Sequence, residues 1–302
     1  MPYLNPFRLG FLGLLALIGL VVGLAGYWEN TNMPAMVLDS MRDQVWRFLA
    51  VFAMAVLVPW GRLPVKAIAP TILPLALTGL VLVMPGSNYD SDLKLSHEVR
   101  FATANLYLLN PTTNQLPQQL NGLQADVLAL VEVPDNFQFD AIASTYPYHH
   151  VVTADVRGHQ ALASKYPLSY EGQVGPGTVY TVSLPQAKVR VVVVHPTSPT
   201  SQQRQLKRND ELAHLMALPT DLPLVLLGDF NTAPHQKPLK LLQQGLGLVD
   251  TMASATWPSP FPMVRLDYVL TPPAWQLHGY FTAKISGSDH LAVAGDYDLG
   301  SK

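Results

Sequence analysis

The sequence predicts a layered α/β sandwich preceded by an apolar, helical region at the N-terminus. Two runs of 20 residues, 9–28 and 67–86, contain no charged residue. From about residue 95 onward, short runs rich in β-branched residues alternate with helical and turn segments. These strand-like runs are mostly apolar, which is typical of strands covered on both faces and therefore of a layered fold.

The composition limits the function classes to which the chain can belong. Of 302 residues, 49% are hydrophobic and only 13% are charged, against about 25% charged in an ordinary soluble domain. The net charge of −2 provides no overall basic field for binding nucleic acid. The absence of cysteine excludes disulfide bonds, thiolate zinc sites and cysteine nucleophiles.

Charged residues are scarcest in the N-terminal third, which we interpret as a membrane anchor over residues 1–90. Residues 1–86 contain five basic and three acidic residues, whereas the remainder contains 14 basic and 18 acidic residues. A helix of about 20 residues is long enough to span the hydrocarbon layer. Between the two longer runs, residues 48–61 are apolar over only 14 positions. We therefore predict three transmembrane helices, or two if this middle segment is re-entrant.

A cleaved signal peptide is the alternative interpretation of residues 9–28. The apolar region of a signal peptide is about 7–15 residues long and precedes a small-x-small cleavage site. This run is longer and lacks a convincing site, so a retained anchor is favoured. Basic residues around three spans favour an inside N-terminus by three to two. We therefore expect residues 91–302 to form a domain in the periplasm or outside the cell.

The C-terminal part contains strand and helix patterns in alternation. Apolar, β-branched runs predict strands over residues 99–104, 126–131, 188–194, 222–227, 268–271 and 291–294. Leucine spacing predicts a helix over residues 116–123, and residues 203–218 predict a second helix with a charged face. The apolar positions of this second helix are Leu206, Leu212, Leu215 and Met216.

Several of the predicted strands begin or end at a polar residue that apolar packing does not favour. These residues are Asn105, Glu132, His195, Asp229 with Asn231, Asp267, and Asp289 with His290. Each one alone is more often a cap, a turn or a structural residue. Six such events in one domain indicate a site, because ligands of α/β sheets bind beyond strand ends. Acids buried together also require a cation or a proton.

Three motifs in a fixed order carry a family resemblance. They are Leu-Leu-Gly-Asp-Phe-Asn-Thr at 226–232, Arg-Leu-Asp-Tyr-Val-Leu at 265–270 and Gly-Ser-Asp-His at 287–290, supported by residues 161–167. The chain resembles the endonuclease/exonuclease/phosphatase superfamily of DNase-like phosphoesterases over about residues 97–298. Thr-Trp-Pro at 256–258 is similar to a motif of the membrane-anchored bacterial members of this superfamily. The resemblance implies a four-layered α/β/β/α sandwich and, with the apolar segments, a multi-pass protein of the bacterial inner membrane.

The resemblance also implies phosphoester hydrolysis assisted by Mg²⁺ or Mn²⁺. Glu132 matches the direct metal ligand, and Asn105 and Asp289 match metal-side positions, Asp289 alternatively positioning the water. Hard Mg²⁺ prefers oxygen ligands, which this cysteine-free set supplies.

The remaining residues match catalytic positions of the family. Asp229 matches the acid that orients or deprotonates the attacking water, and Asn231 matches a donor to the phosphate. His195 matches the histidine that contacts the phosphate or protonates the leaving group, although the sequence shows no carboxylate partner for it. Asp267 pairs with His290. Phosphodiester attack needs an oriented water, charge neutralisation and help for the leaving group, which this inventory can provide.

The basic residues bear on the substrate. Tight binding of a nucleic acid duplex needs many contacts with phosphate groups, but this domain is net acidic. The basic residues that could make such contacts are Arg157, Lys165, Arg204, Lys207 and Arg208. The last three lie on the helix at 203–218, which we interpret as solvated rather than as a binding patch. We therefore expect a phosphodiester of nucleic acid or of a lipid headgroup as substrate, membrane lipid as a partner, and no protein partner.

Two alternative functions remain open. One is a phosphomonoesterase acting on sugar or inositol phosphates. The other is a catalytically silent, anchored binding module, against which the complete set of acids and both histidines argues.

Overall fold

The computed structural model describes residues 6–28, 41–42, 44–47, 49–50, 98–153 and 158–300. The chain divides into two compact units, residues 1–85 and 86–302.

In the first unit, helix α1 (Pro6–Trp28) contains the first uncharged run. The predicted spans at 48–61 and 67–86 lie outside the described residues, apart from the helical positions 49 and 50. Among the described residues, no helix is both long and apolar enough to cross a membrane. The anchor stays a prediction, as does the boundary between residues 90 and 91.

The second unit contains two six-stranded sheets, counted over its described residues. The strands are β1 (Val99–Asn105), β2 (Val127–Val133), β3 (Tyr148–Val152), β4 (His159–Ser164), β5 (Leu168–Val174), β6 (Gly177–Ser183), β7 (Lys188–Val194), β8 (Leu224–Asp229), β9 (Val249–Asp250), β10 (Asp267–Thr271), β11 (Gln276–Lys284) and β12 (Leu291–Asp298). The first sheet has the order β11-β12-β1-β2-β4-β3, and the second has the order β5-β6-β7-β8-β10-β9.

Helices lie on the outer faces of both sheets. They are α2 (Leu116–Gly122), α3 (Gln202–His214) and α4 (Lys237–Leu246). Leu116 and Leu120 of α2 share a buried cluster with residues of the first sheet. Leu212 of α3 and Leu242 of α4 share another cluster with residues of the second sheet. The predicted mixed α/β sandwich is therefore confirmed.

The core between the sheets follows from the alternation of side chains along each strand. Phe101 of β1 packs in a cluster with Val191 of β7 and Leu227 of β8, so this cluster joins the two sheets. Ala102, the next residue of β1, faces the cluster of α2 instead. Each fully buried large aliphatic or aromatic side chain contributes about 1.5–3 kcal/mol to the free energy of unfolding.

One parallel pair in each sheet directs strand ends to the site. β1 is parallel to β2, with Asn105 opposite Val131, and β7 is parallel to β8, with Val194 opposite Gly228. The carboxyl ends of the paired strands therefore lie side by side. β10 is antiparallel to β8, which brings its first residue, Asp267, opposite Asp229.

Helix α3 differs from the prediction in its buried face. Leu206 and Met216, two apolar positions of the predicted helix, are 51% and 43% exposed, and Met216 lies beyond the end of α3. The helix begins after the N-cap Ser201, and its buried residues are Gln205, Arg208 and Leu212. The interpretation of Arg208 as part of a solvated face was wrong, because this residue is 1% exposed. Hydrophobic periodicity identified Leu212 but not Gln205 and Arg208, because these two residues are polar.

Candidate active site

Asn105 connects the two sheets at the centre of the site. It is the last residue of β1, and its Nδ2 donates to Glu132 Oε1 (3.0 Å) and to Asp229 Oδ2 (3.1 Å). Glu132 belongs to the first sheet and Asp229 to the second. One side-chain amide therefore holds a carboxylate from each sheet in place, and its own Oδ1 accepts from Tyr107 N (3.0 Å).

The backbone at Glu132 has a conformation that directs its side chain into the site. Its φ is +50°, in the left-handed region that non-glycine residues rarely adopt. Gly158 packs against this position with φ +80°, and a Cβ there would lie 3.1 Å from Glu132 Cα. The carboxylate also accepts from Leu108 N at Oε2 (3.3 Å). Gly158 therefore supports the site, although no motif in the sequence marked it.

His195 follows β7 directly and has carboxylates beside it. Its Nε2 lies 3.4 Å from Glu132 Oε1 and 4.0 Å from Asp229 Oδ2. Burial acts to raise the pKa of Glu132, but hydrogen bonds from His195, Asn105 and Leu108 N lower this pKa to about 2. Glu132 is therefore ionised at neutral pH.

The Gly-Asp-Phe-Asn motif contains the last two residues of β8 and the turn that follows it. Gly228 has φ +145°, and a Cβ there would lie 2.0 Å from Val194 O, so only glycine fits. Asp229 Oδ1 accepts from Asn231 N (2.8 Å), and Asn231 itself has φ +49°. Asn231 Nδ2 donates to Pro196 O (3.2 Å), in the loop that carries His195.

Asp267 and His290 form the buried pair that the resemblance implies. His290 Nδ1 donates to Asp267 Oδ2 (2.8 Å), and its Nε2 lies 3.7 Å from Asp229 Oδ2. Burial acts to lower the pKa of His290, but Asp267 and Asp229 raise it to about 10. Burial is also the main reason that the pKa of Asp229 is raised. His290 is therefore a buried cation at neutral pH.

Two overlapping groups of side chains have the donor atoms to bind a cation. They are Glu132, His195 and Asp229, and Asp229, Asp267 and His290, with ligand atoms within 4.8 Å of one another. The first group fits Mg²⁺ or Mn²⁺ better, because Glu132 is ionised and its side chain is 25% exposed, which leaves room for water ligands. In the second group, the cationic His290 already pairs with Asp267 and lies close to Asp229, so these carboxylates are less suited to bind a metal ion.

Asp289 lies outside both groups. It is exposed, and its Oδ2 accepts from Trp257 Nε1 (3.0 Å). The structure therefore brings together seven of the eight predicted site residues and places Asp289 at the rim, next to His290 in the chain.

Two hydroxyl groups support the site and were not singled out from the sequence. Ser288 Oγ donates to Asn105 O (2.7 Å) and accepts from His290 N (3.0 Å). Thr256 Oγ1 accepts from Asp267 N (3.3 Å). Both lie next to predicted motifs, in Gly-Ser-Asp-His and Thr-Trp-Pro, which is the one signal that could have identified them.

Solved structures share this fold at low sequence identity. An endonuclease/exonuclease/phosphatase from Beutenbergia cavernae DSM 12333 has a TM-score of 0.54 and 20% identity, covering 68% of this chain and 72% of that chain. The human Nocturnin catalytic domain with a bound sulfate anion has a TM-score of 0.53 and 16% identity, covering 68% and 96%. A beta toxin variant from Staphylococcus aureus with bound magnesium ions has a TM-score of 0.51 and 15% identity, covering 68% and 100%.

The family is established by sequence. No curated protein matches the chain. A model of the Endonuclease/Exonuclease/phosphatase family, however, matches residues 102–290, well over half of the chain, and this range contains all eight predicted site residues. The chain therefore belongs to the Endonuclease/Exonuclease/phosphatase family.

Proposed function

We propose that the protein is a membrane-tethered phosphodiesterase that depends on Mg²⁺ or Mn²⁺ and hydrolyses a nucleic acid or lipid-headgroup phosphodiester by attack of water. Members of its family are hydrolases acting on phosphoesters. The observation that carries the proposal is the hydrogen bonding of Asn105 to both Glu132 and Asp229, with a histidine nitrogen 3.4 Å from Glu132 and another 3.7 Å from Asp229.

Glu132 is the residue best suited to hold the metal ion. Its carboxylate is ionised and partly exposed, and Asn105 orients it. A beta toxin of similar fold contains bound magnesium ions, which supports the choice of metal. When bound, the metal supplies charge neutralisation for the phosphoryl oxygens. Asp289, at the rim, is the further acid that we assign to the metal side or to the water.

Asp229 positions and deprotonates the attacking water. Its raised pKa makes the carboxylate a stronger base than an ordinary aspartate, as a general base requires. The cationic His290, held by Asp267, offers its Nε2 proton to the developing charge. Asn231 uses one amide hydrogen for Pro196 O and has a second for a phosphate oxygen. His195 contacts the phosphate or protonates the leaving group.

Removal of the metal ligand tests this mechanism. We expect Glu132→Gln in the full chain to lower kcat by more than about 100-fold with bis(p-nitrophenyl) phosphate and Mg²⁺, because a metal ligand matters at least as much as the residues supporting it. The melting temperature should stay close to that of the wild type. Glu171→Gln, which changes a glutamate of β5, is the matched control. Undiminished turnover in excess chelator would reject the metal-dependent mechanism.

A substrate panel separates the candidate functions. Plasmid DNA, RNA, sphingomyelin and p-nitrophenyl phosphate should be tested with and without Mg²⁺. We expect cleavage of at least one phosphodiester. Activity only on the monoester would support the phosphomonoesterase alternative, and binding without turnover would support the silent module.

The tether rests on the sequence. The uncharged runs 9–28 and 67–86 and the basic residues around them support a multi-pass anchor in a bacterial inner membrane, with residues 91–302 outside the cytoplasm. We expect the full chain to sediment with membranes and a C-terminal reporter to be active outside. Recovery of the chain in the aqueous fraction without detergent would contradict the tether, and a cytoplasmic reporter would contradict the orientation.

A further inference from the structure

Two polar side chains of helix α3 form hydrogen bonds with the loops that follow β7 and β8. Glu211 accepts hydrogen bonds from Thr197 N (2.6 Å) and from Thr197 Oγ1 (3.0 Å). Thr197 lies two residues after His195 in the chain. Arg208, one turn earlier on the helix, donates from Nη1 to the carbonyl oxygen of Asn231 (2.6 Å). One helix therefore holds both loops that carry the proposed phosphate contacts.

The two loops are also bonded to each other. Asn231 Nδ2 donates to Pro196 O (3.2 Å), which closes a ring of contacts from α3 through both loops and back to α3. Gln236 adds a second attachment, because its Oε1 accepts from Arg208 Nη1 (3.4 Å) and from Ala233 N (3.0 Å). The position of Asn231 thus depends on α3 as well as on β8.

The choice of residue at 208 needs an explanation. Arg208 is 1% exposed, and burying a charge is costly. An apolar residue of similar volume often stabilises a fold as well or better. An arginine offers instead a planar set of donors that can fix a carbonyl oxygen in one place. That carbonyl belongs to Asn231, whose φ of +49° requires support from its surroundings.

We propose that Arg208 is a positioning residue of the active site. By holding the Asn231 carbonyl, it fixes the backbone from which the Asn231 side-chain amide reaches the phosphate. Arg208 acts through Asn231 and contacts no substrate itself. The inference rests on the proposed function, because it assumes phosphoester hydrolysis at this site.

A double-mutant cycle tests the proposal. Arg208→Lys, Asn231→Ala and the double variant are compared in the full chain with bis(p-nitrophenyl) phosphate and Mg²⁺. We expect Arg208→Lys to lower kcat about 10- to 100-fold, as the loss of a hydrogen bond from a charged group implies. In the Asn231→Ala background, the same substitution should change kcat by less than about twofold, because the residue through which it acts is gone.

Thermal stability separates positioning from folding. Alanine at 231 keeps the backbone carbonyl, so Arg208→Lys should lower the melting temperature equally in both backgrounds. Leu212→Ala, on the buried face of the same helix, is the matched control and should lower the melting temperature without lowering kcat. Fully additive effects of Arg208→Lys and Asn231→Ala on kcat would overturn the proposal.

Two further results keep this proposal distinct from the proposed function. A wild type active on the phosphodiester together with an equally active Arg208→Lys variant would overturn the positioning role alone. If the wild type turned over no phosphoester, amide hydrogen exchange over residues 229–233 would decide. Exchange that is faster in Arg208→Lys than in Leu212→Ala supports positioning, and equal exchange overturns it. If Arg208→Lys does not fold, Gln236→Ala replaces it in the cycle, with a smaller loss of kcat that should also vanish in Asn231→Ala.

Discussion

Replacing Asp267 with asparagine removes the charge that keeps His290 protonated and leaves the size of the side chain unchanged. The two side chains share a buried hydrogen bond of 2.8 Å between His290 Nδ1 and Asp267 Oδ2. A hydrogen bond between charged groups contributes about 1.5–3 kcal/mol. This free energy corresponds to a pKa change of about one to two units. The substitution should therefore lower the pKa of His290 from about 10 to about 8–9.

The assay is the pH dependence of kcat with bis(p-nitrophenyl) phosphate. The mechanism requires the cationic form of His290, which is present below its pKa and lost above it. The alkaline limb of the profile should therefore move to lower pH in Asp267→Asn by about one to two units. Asp250→Asn is the matched control, because Asp250 pairs with Arg265. An alkaline limb that stays in place in Asp267→Asn would refute the assigned role of this pair.

Stability gives a second, independent measurement of the same pair. The folded-state pKa of His290 is raised above its unfolded value, so its contribution is complete below about pH 6.5 and is lost as the pH rises towards about 10. The difference in melting temperature between the wild type and Asp267→Asn should be larger at pH 6 than above pH 10. A difference that does not change with pH would show that the pair contributes only packing.

The remaining predictions concern the histidines and Gly158. His195→Ala and His290→Ala should each lower kcat about 100-fold, and the double variant should be less impaired than the product of the two effects. Near-normal turnover of both single variants on an established substrate would show that the site is wrongly assigned. Gly158→Ala should lower the melting temperature and the metal-dependent activity together, because its φ of +80° strains an alanine and a Cβ there would lie 3.1 Å from Glu132 Cα, which must shift. A Gly158→Ala enzyme with unchanged metal dependence would contradict the support that we assign to this glycine.

Several of the buried strands were predictable from the sequence, although β4 and β6, which are also mostly buried, were missed. β7 was predicted with its observed bounds, and β1 and β2 within two residues, because their sequences are rich in apolar and β-branched residues. β5 and β11 were missed because most of their residues are only partly buried or exposed. At the edges of a sheet, pairing with one neighbour rather than apolar content defines the strand, and a single sequence carries no record of that pairing.

The sequence by itself determined which residue types stand at the strand ends, and hence the inventory of carboxylates, amides and imidazoles. It could do so because each such residue interrupts an apolar run beside it. Only the tertiary structure decided how these groups combine. Asn105 reaches across to the other sheet, Glu132 supplies His195 with a carboxylate neighbour, and Arg208 turns inward to hold Asn231. These contacts join residues 23 to 124 positions apart, and they depend on sheet packing and helix orientation, which no local pattern encodes.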